Sequence, residues 1–208
     1  MKRMVKSGVR GAATLAVFAL VFTALMAGTY ALTRDTVKKN ELDAKVALLA
    51  QVLPAGSYDN ALLDDAVVVP KAEATQLGNE AESRIYLARK AGRTVGAVVE
   101  ATAPDGYAGK IRLLIGVDTA GTVLGVRVVS HKETPGLGDY IDISKSDWID
   151  QFRGKRIGSD AQWKVRKDGG EFDSRAGATI SPRAVVKAIH ATLVYVDAHR
   201  LQLFGVRN

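Results

Sequence analysis

Ile85-Tyr86-Leu87-Ala88-Arg89-Lys90-Ala91-Gly92-Arg93-Thr94-Val95-Gly96-Ala97-Val98-Val99-Glu100-Ala101-Thr102-Ala103 is the stretch on which the architecture of this chain turns. Two runs that suit extended backbone, Ile85 to Ala91 and Thr94 to Ala103, flank Gly92-Arg93, so the pattern reads as a β-hairpin. Further along, Lys110 to Val117 and Val123 to Ser130 flank Asp118-Thr119-Ala120-Gly121 as a second hairpin. Both pairs are rich in β-branched residues, as expected of half-buried strands. Ser144 to Phe152 then reads as a short helix, with Ser144 as cap and Asp147 in the first turn. Trp163 to Arg166 reads as another short strand. Pro182 to Phe204 reads as a long helix with Val185, Ile189, Leu193 and Val196 on one apolar stripe. An antiparallel sheet with helices to one side or end is an α+β domain. Before the first hairpin, Ala55 to Gly78 holds short apolar pieces (Leu62-Leu63, Ala66 to Val69) that suit strand edges or a connector.

The N-terminal quarter is different. Gly11 to Leu32 is a run of 22 residues without a charge. As a helix it spans about 33 Å, against about 30 Å for a bilayer core. Lys2, Arg3, Lys6 and Arg10 precede it, so the positive-inside rule puts the N-terminus in the cytoplasm and the rest outside. Tyr30 stands where an interfacial aromatic would. A cleavable signal peptide is the rival reading, since Thr29-Tyr30-Ala31 resembles a small-x-small site. The apolar run exceeds the usual h-region of about 7–15 residues, which favours an uncleaved anchor. From Thr33 the pattern stays helical, with Val37, Leu42, Val46, Leu49 and Leu53 near one face until Pro54 ends it.

Composition excludes several kinds of chemistry. The 208 residues include no cysteine, which removes disulfides, thiolate catalysis and Cys-ligated metal centres. The net charge of +7 falls to +3 once the four N-terminal bases are set aside, too near balance for a nucleic-acid surface. His190 and His199 lie nine positions apart, a quarter turn from alignment on a helix, so they are expected at the surface or in caps rather than on a shared metal.

Two loops carry the functional signal. One is His131-Lys132-Glu133-Thr134-Pro135-Gly136-Leu137-Gly138-Asp139, directly after a strand. The other, Asp173-Ser174-Arg175-Ala176-Gly177-Ala178-Thr179, runs into Ser181-Pro182, which reads as N-cap and first helical residue. A hydroxyl there neighbours unpaired backbone N–H groups and the positive end of a helix dipole, where a phosphate is easily held. Plain connections between elements remain the alternative reading of both loops.

Taken together, Gly106-Tyr107-Ala108-Gly109-Lys110-Ile111, Gly125-Val126-Arg127-Val128-Val129, the His131 to Asp139 loop, Lys145-Ser146-Asp147-Trp148-Ile149 and Gly177-Ala178-Thr179 resemble the FMN-binding domain of the G subunit of the Rnf-type ion-translocating electron-transport complex. The resemblance runs from Gly106 to Ile189. It is shared with the C subunit of the sodium-translocating NADH:quinone reductase, which is typically longer. It implies an FMN joined through its phosphate to Thr179 as a phosphodiester, at the end of an Asp-x-x-(Ser/Thr)-Gly-Ala-Thr motif led by Asp173. Gly177 and Ala178 match that motif. Ala176 departs from it, and the missing hydroxyl removes a hydrogen bond worth about 0.5–1.5 kcal/mol net.

Further implications follow from the same resemblance. A flavin transferase using FAD attaches the group, and other membrane subunits of the complex are the partners. The complex, in a bacterial inner membrane, passes electrons between ferredoxin and NAD and couples this to ion movement. Glu133, Thr134, Gly136, Leu137 and Gly138 are the candidates to meet the isoalloxazine ring. Tyr107 or Trp148 either stacks on the ring or belongs to the core, and Arg183 either offers a counter-charge to the phosphate or is simply solvated. The expected organisation is a basic cytoplasmic segment 1–10, a transmembrane helix 11–32, a helical stalk 33–53 and an exported α+β FMN-binding domain 54–208. A regulatory flavin-binding membrane module, or a scaffold subunit lacking covalent FMN, stay open as alternatives.

Overall fold

The computed structural model describes residues 2–205. Met1, at the start of the expected cytoplasmic segment, and residues 206–208, at the end of the expected exported domain, lie outside the described residues. The chain forms two units, one up to Lys45 and one from Val46 onward. The first consists of helix α1, Lys2–Gln51, which continues into the second unit without a break at residue 33. Within α1, Gly8–Gln51 is the one helix among the described residues long and apolar enough to cross a membrane. Its side chains from Gly11 to Leu32 are all exposed, with no protein packed on them.

The second unit is built on a five-stranded antiparallel meander in sequence order. Its strands are β1 (Ala66–Val69), β2 (Ser83–Lys90), β3 (Arg93–Gly106), β4 (Gly109–Asp118) and β5 (Val123–Ser130). Both hairpins read from the sequence are present. The first turns at Ala91-Gly92, with φ of 49° and 76°, one residue earlier than the pattern suggested. Two successive left-handed residues match the right-handed twist of the flanking strands.

Register aligns the apolar residues into rows. Val67, Ile85, Val99, Ile115 and Val126 pair in succession across all five strands. That row faces the main core, where helix α3 (Ile180–Ala198) buries Val185, Ile189, Leu193 and Val196. The adjacent row, Ala66, Tyr86, Val98, Gly116 and Gly125, faces the other way. There Leu49, Val52, Leu53 and Leu62 cover the sheet in a second cluster with Tyr86, Val98 and Leu114. The central strands are therefore buried on both faces rather than half-buried, because the chain just after α1 folds back over the sheet. Of the apolar stalk residues, Leu49 and Leu53 are buried, while Val37, Leu42 and Val46 are exposed.

Four local expectations are corrected. The short helix is a 3-10 segment, Asp147–Phe152, capped by Ser146, whose hydroxyl accepts from the Trp148 N–H at 3.3 Å. Trp163 to Arg166 is not a strand: only one bridge, Val165 to Phe172, forms there. Trp163 is held instead by stacking with Phe152, Phe172 and the half-buried ring of His190. The C-terminal helix starts at Ile180, with Thr179 rather than Ser181 as N-cap. It stops at Ala198, and a short helix α4, Arg200–Phe204, follows. For numbering, the one-turn helix Lys71–Ala74 is α2. His199 makes the break: its Nδ1 lies 2.8 Å from the Tyr195 carbonyl and its ring stacks on Tyr195, with φ −108° and ψ 15°.

Candidate functional site

Four chain segments converge at one end of the sheet: the β3–β4 turn, the loop after β5, the 3-10 turn Arg166–Asp168 and the chain that leads into α3. Between them lies a cavity of about 320 Å³, lined by Tyr107, Glu133, Thr134, Leu137, Gly138, Lys167, Gly177, Ala178, Thr179, Ile180 and Ser181. This falls at the lower end of the range of small-molecule sites, about 300–1,000 Å³. Glu133, Thr134, Leu137, Gly138, Gly177, Ala178 and Thr179 are all site residues expected from the sequence, and the fold brings them to a single space. Gly136 is in the loop but not on the wall. Asp173 is outside it, on an adjoining groove that shares Lys167, Gly177 and Thr179 with the cavity.

The loop after β5 is shaped by its own backbone. The N–H groups of Leu137 and Gly138 both donate to the Thr134 carbonyl at 3.1 Å. Gly136, left-handed at φ 76°, donates to the buried Asp139 carboxylate at 2.8 Å. Glu133 is only 4% exposed. Its Oε2 accepts the Ser181 hydroxyl at 2.6 Å and its Oε1 accepts the Ala108 N–H at 3.2 Å. A buried carboxylate needs such donors, so Glu133 ties the loop to both the β3–β4 turn and α3. Ser181 serves this tie instead of capping the helix. A Cβ on Gly138 would stand 2.9 Å from Glu133 Oε2, so glycine is what lets the loop close over the pair.

The loop 173–179 is held from beneath. The buried Tyr140 hydroxyl accepts the Arg175 N–H and donates to the Ala178 carbonyl, both at 3.0 Å. Burial pushes the Tyr140 pKa up. The Trp148 indole N–H donates to the Asp173 carbonyl at 2.6 Å, and Trp148 is 8% exposed among Tyr140 and Phe152. Trp148 is thus core, whereas Tyr107, 67% exposed, stands on the cavity wall. Thr179 has φ −95° and ψ −15° and makes no side-chain capping bond. A capping side chain usually needs extended backbone at this position, so the hydroxyl is left available beside the helix N-terminus.

Arg183 is not available as a counter-charge. It grips Asp168 through two hydrogen bonds, at 2.5 and 2.6 Å. The bonds from Arg183 hold the Asp168 carboxyl below the usual carboxylate range. Asp173 pairs with Arg166 at 3.0 Å. Lys167, which the sequence pattern did not single out, is the cation on the cavity wall. No local signal marks it, because its place depends on the turn that Asp168 anchors to α3. Among the described residues no cluster of His, Asp or Glu suits a metal ion.

A family model described as the RnfG N-terminal region matches residues 1–52, and one described as the FMN-binding domain matches residues 106–194. The G subunit of the ion-translocating oxidoreductase complex of Vibrio vulnificus (strain YJ016) is 46% identical over 194 residues, 92% of this chain and 90% of the relative. The chain belongs to the G-subunit family. The corresponding G subunits of Pseudomonas aeruginosa (strain UCBPP-PA14) and Yersinia pestis are 47% and 48% identical over 202 residues, covering 96% of this chain and 94% and 95% of theirs. The FMN-binding domain of this G-subunit family member extends from the end of β3 into α3, so every residue on the cavity wall falls within the matched stretch. The resemblance read from the motifs is thereby shown.

Proposed function

We propose that this chain is a membrane-anchored electron-carrier subunit that holds FMN covalently through a phosphoester to Thr179. The observation that carries the reading is the convergence of Thr179, Gly177 and Ala178 with Glu133, Thr134, Leu137 and Gly138 on one cavity. These residues suit the group. Tyr107, Leu137 and Ile180 offer apolar surface to a flat ring, Thr134 a hydroxyl to its polar edge, and Gly138 a close backbone approach. At the other end, the N-terminus of α3 favours one negative charge by about 0.3–1 kcal/mol at an exposed site. Bound FMN accepts and gives up electrons, while the protein sets its orientation and potential.

For attachment, the Thr179 hydroxyl oxygen forms a bond to the ribityl-side phosphorus of FAD, the P–O anhydride bond breaks, and AMP leaves with that electron pair. The hydroxyl proton passes to solvent, and a flavin transferase catalyses the exchange. Residues Arg175, Ala176 and Gly177 are exposed, which suits a loop that must enter another enzyme. Ala176 lies on the groove and not on the cavity wall, so its missing hydroxyl bears on attachment rather than on the seating of the ring. In this reading residues 1–10 are cytoplasmic, 11–32 span a bacterial inner membrane, 33–53 form the stalk, and the domain 54–208 faces the extracytoplasmic side. The neighbouring subunits of the complex supply and accept the electrons, between ferredoxin and NAD.

Co-production with a flavin transferase and a denaturing gel viewed under ultraviolet light test the reading. We expect a fluorescent band at the size of the chain that is absent in Thr179→Ala. No band in the wild type, or an undiminished band in the variant, overturns it.

A further inference from the structure

We propose that Lys167 is the counter-ion of the phosphate carried at Thr179, a positioning role that rests on the covalent reading above. Lys167 occupies the middle of the 3-10 turn Arg166–Asp168. The turn is fixed at both ends. Val165, fully buried, bridges to Phe172, and Asp168 grips Arg183 in the first turn of α3. Lys167 is thereby carried to the meeting point of two hollows: it lines both the cavity and the adjoining groove, together with Gly177 and Thr179.

The surrounding cations are engaged elsewhere. Arg166 pairs with Asp173, Arg183 with Asp168, and the Arg175 guanidinium lies 4.7 Å from the centre of the Tyr140 ring. Lys167 makes no ion pair among the described residues. Its charge also acts on the neighbouring Asp168 carboxyl, without an ion-pair contact. A phosphodiester keeps one negative charge near neutral pH, so the Lys167 ammonium turns to it without giving up an ion pair. Arg183 acts through this arrangement, by holding the turn, and not by meeting the phosphate itself.

The test uses the full-length chain in detergent with purified flavin transferase and FAD, following the initial rate of covalent fluorescence. Exposed ion pairs are modest, so Lys167→Gln should slow attachment about threefold. Lys167→Glu should slow it further, and Lys167→Arg should stay near the wild-type rate. The ratio of wild type to Lys167→Gln should shrink towards one at about 1 M salt, where screening extends over about 3 Å. Equal rates for all variants, an arginine variant as slow as the glutamine one, or a salt-independent ratio overturns the assignment.

Phosphorus NMR of the attached product separates a contact at the phosphate from recognition by the transferase. The phosphorus resonance responds to a cation held against the phosphate, so at neutral pH it should differ between the wild type and Lys167→Gln and lie near the wild-type position in Lys167→Arg. Identical resonances in the wild type and Lys167→Gln overturn the proposal. Failure of the wild type to acquire flavin, or acquisition by Thr179→Ala, instead overturns the covalent reading and this assignment with it.

Discussion

Tyr140 divides one hydroxyl between two backbone groups of the same turn, the Arg175 N–H and the Ala178 carbonyl. Both lie within four residues of Thr179, so this single side chain sets the path by which the loop reaches the helix. Removing the oxygen leaves a donor and an acceptor without their partner in a largely dry environment. Tyr140→Phe should therefore destabilise the domain by about 1–3 kcal/mol, measured by urea denaturation. It should also slow covalent flavin attachment, because the turn before Thr179 loosens. An unchanged denaturation midpoint and attachment rate would remove Tyr140 from this role. The motif residues themselves were legible through their resemblance to the family's pattern, whereas Tyr140 was not. It lies 35 positions before Arg175, and nothing local distinguishes it from any buried tyrosine.

Among the elements, the strands were the most legible. Their runs of β-branched and apolar residues, eight to fourteen long in β2 to β5, mark extended backbone even where both faces are buried. The turn of the first hairpin shows the limit. Gly92 advertises it, but Ala91 also adopts a left-handed conformation, φ 49°, which costs a residue with a Cβ about 1–2 kcal/mol. The Asp59 carboxylate, accepting the Ala91 N–H at 2.9 Å, helps to hold it there. Ala91→Asn restores the Asn-Gly pair that such turns favour and should stabilise the domain by about 1 kcal/mol. A lower midpoint in chemical denaturation would contradict that account. The 3-10 segments were less legible for a different reason: their apolar residues are placed by packing, as Phe152 is among Trp148, Trp163 and Phe172, and not by a repeating pattern.

At the scale of the folded unit, the sheet is covered on both sides, and the second cover depends on two glycines. Gly116 and Gly125 pair across β4 and β5, and Val52 lies against both. A Cβ on Gly116 would come within 2.1 Å of the Val52 carbonyl oxygen, and one on Gly125 within 3.1 Å of its Cα. The contact is with backbone, which cannot turn aside as a side chain does. Gly116→Ala should destabilise the domain by about 1–3 kcal/mol, with the loss read in equilibrium unfolding. If the variant unfolds with the wild-type midpoint, Val52 does not need the close approach.

By itself the sequence determined the apolar N-terminal helix, the two hairpins, the amphipathic α3 and the two motif loops, because each is written in neighbouring residues as a period or a spacing. Tertiary structure alone decided that Glu133 meets Ser181, that Arg183 is spent on Asp168, and that Lys167 lines the same cavity as Thr179. These pairings join residues 48, 15 and 12 positions apart. Their partners are chosen by how the sheet, the loops and α3 close on one another, which no local pattern records.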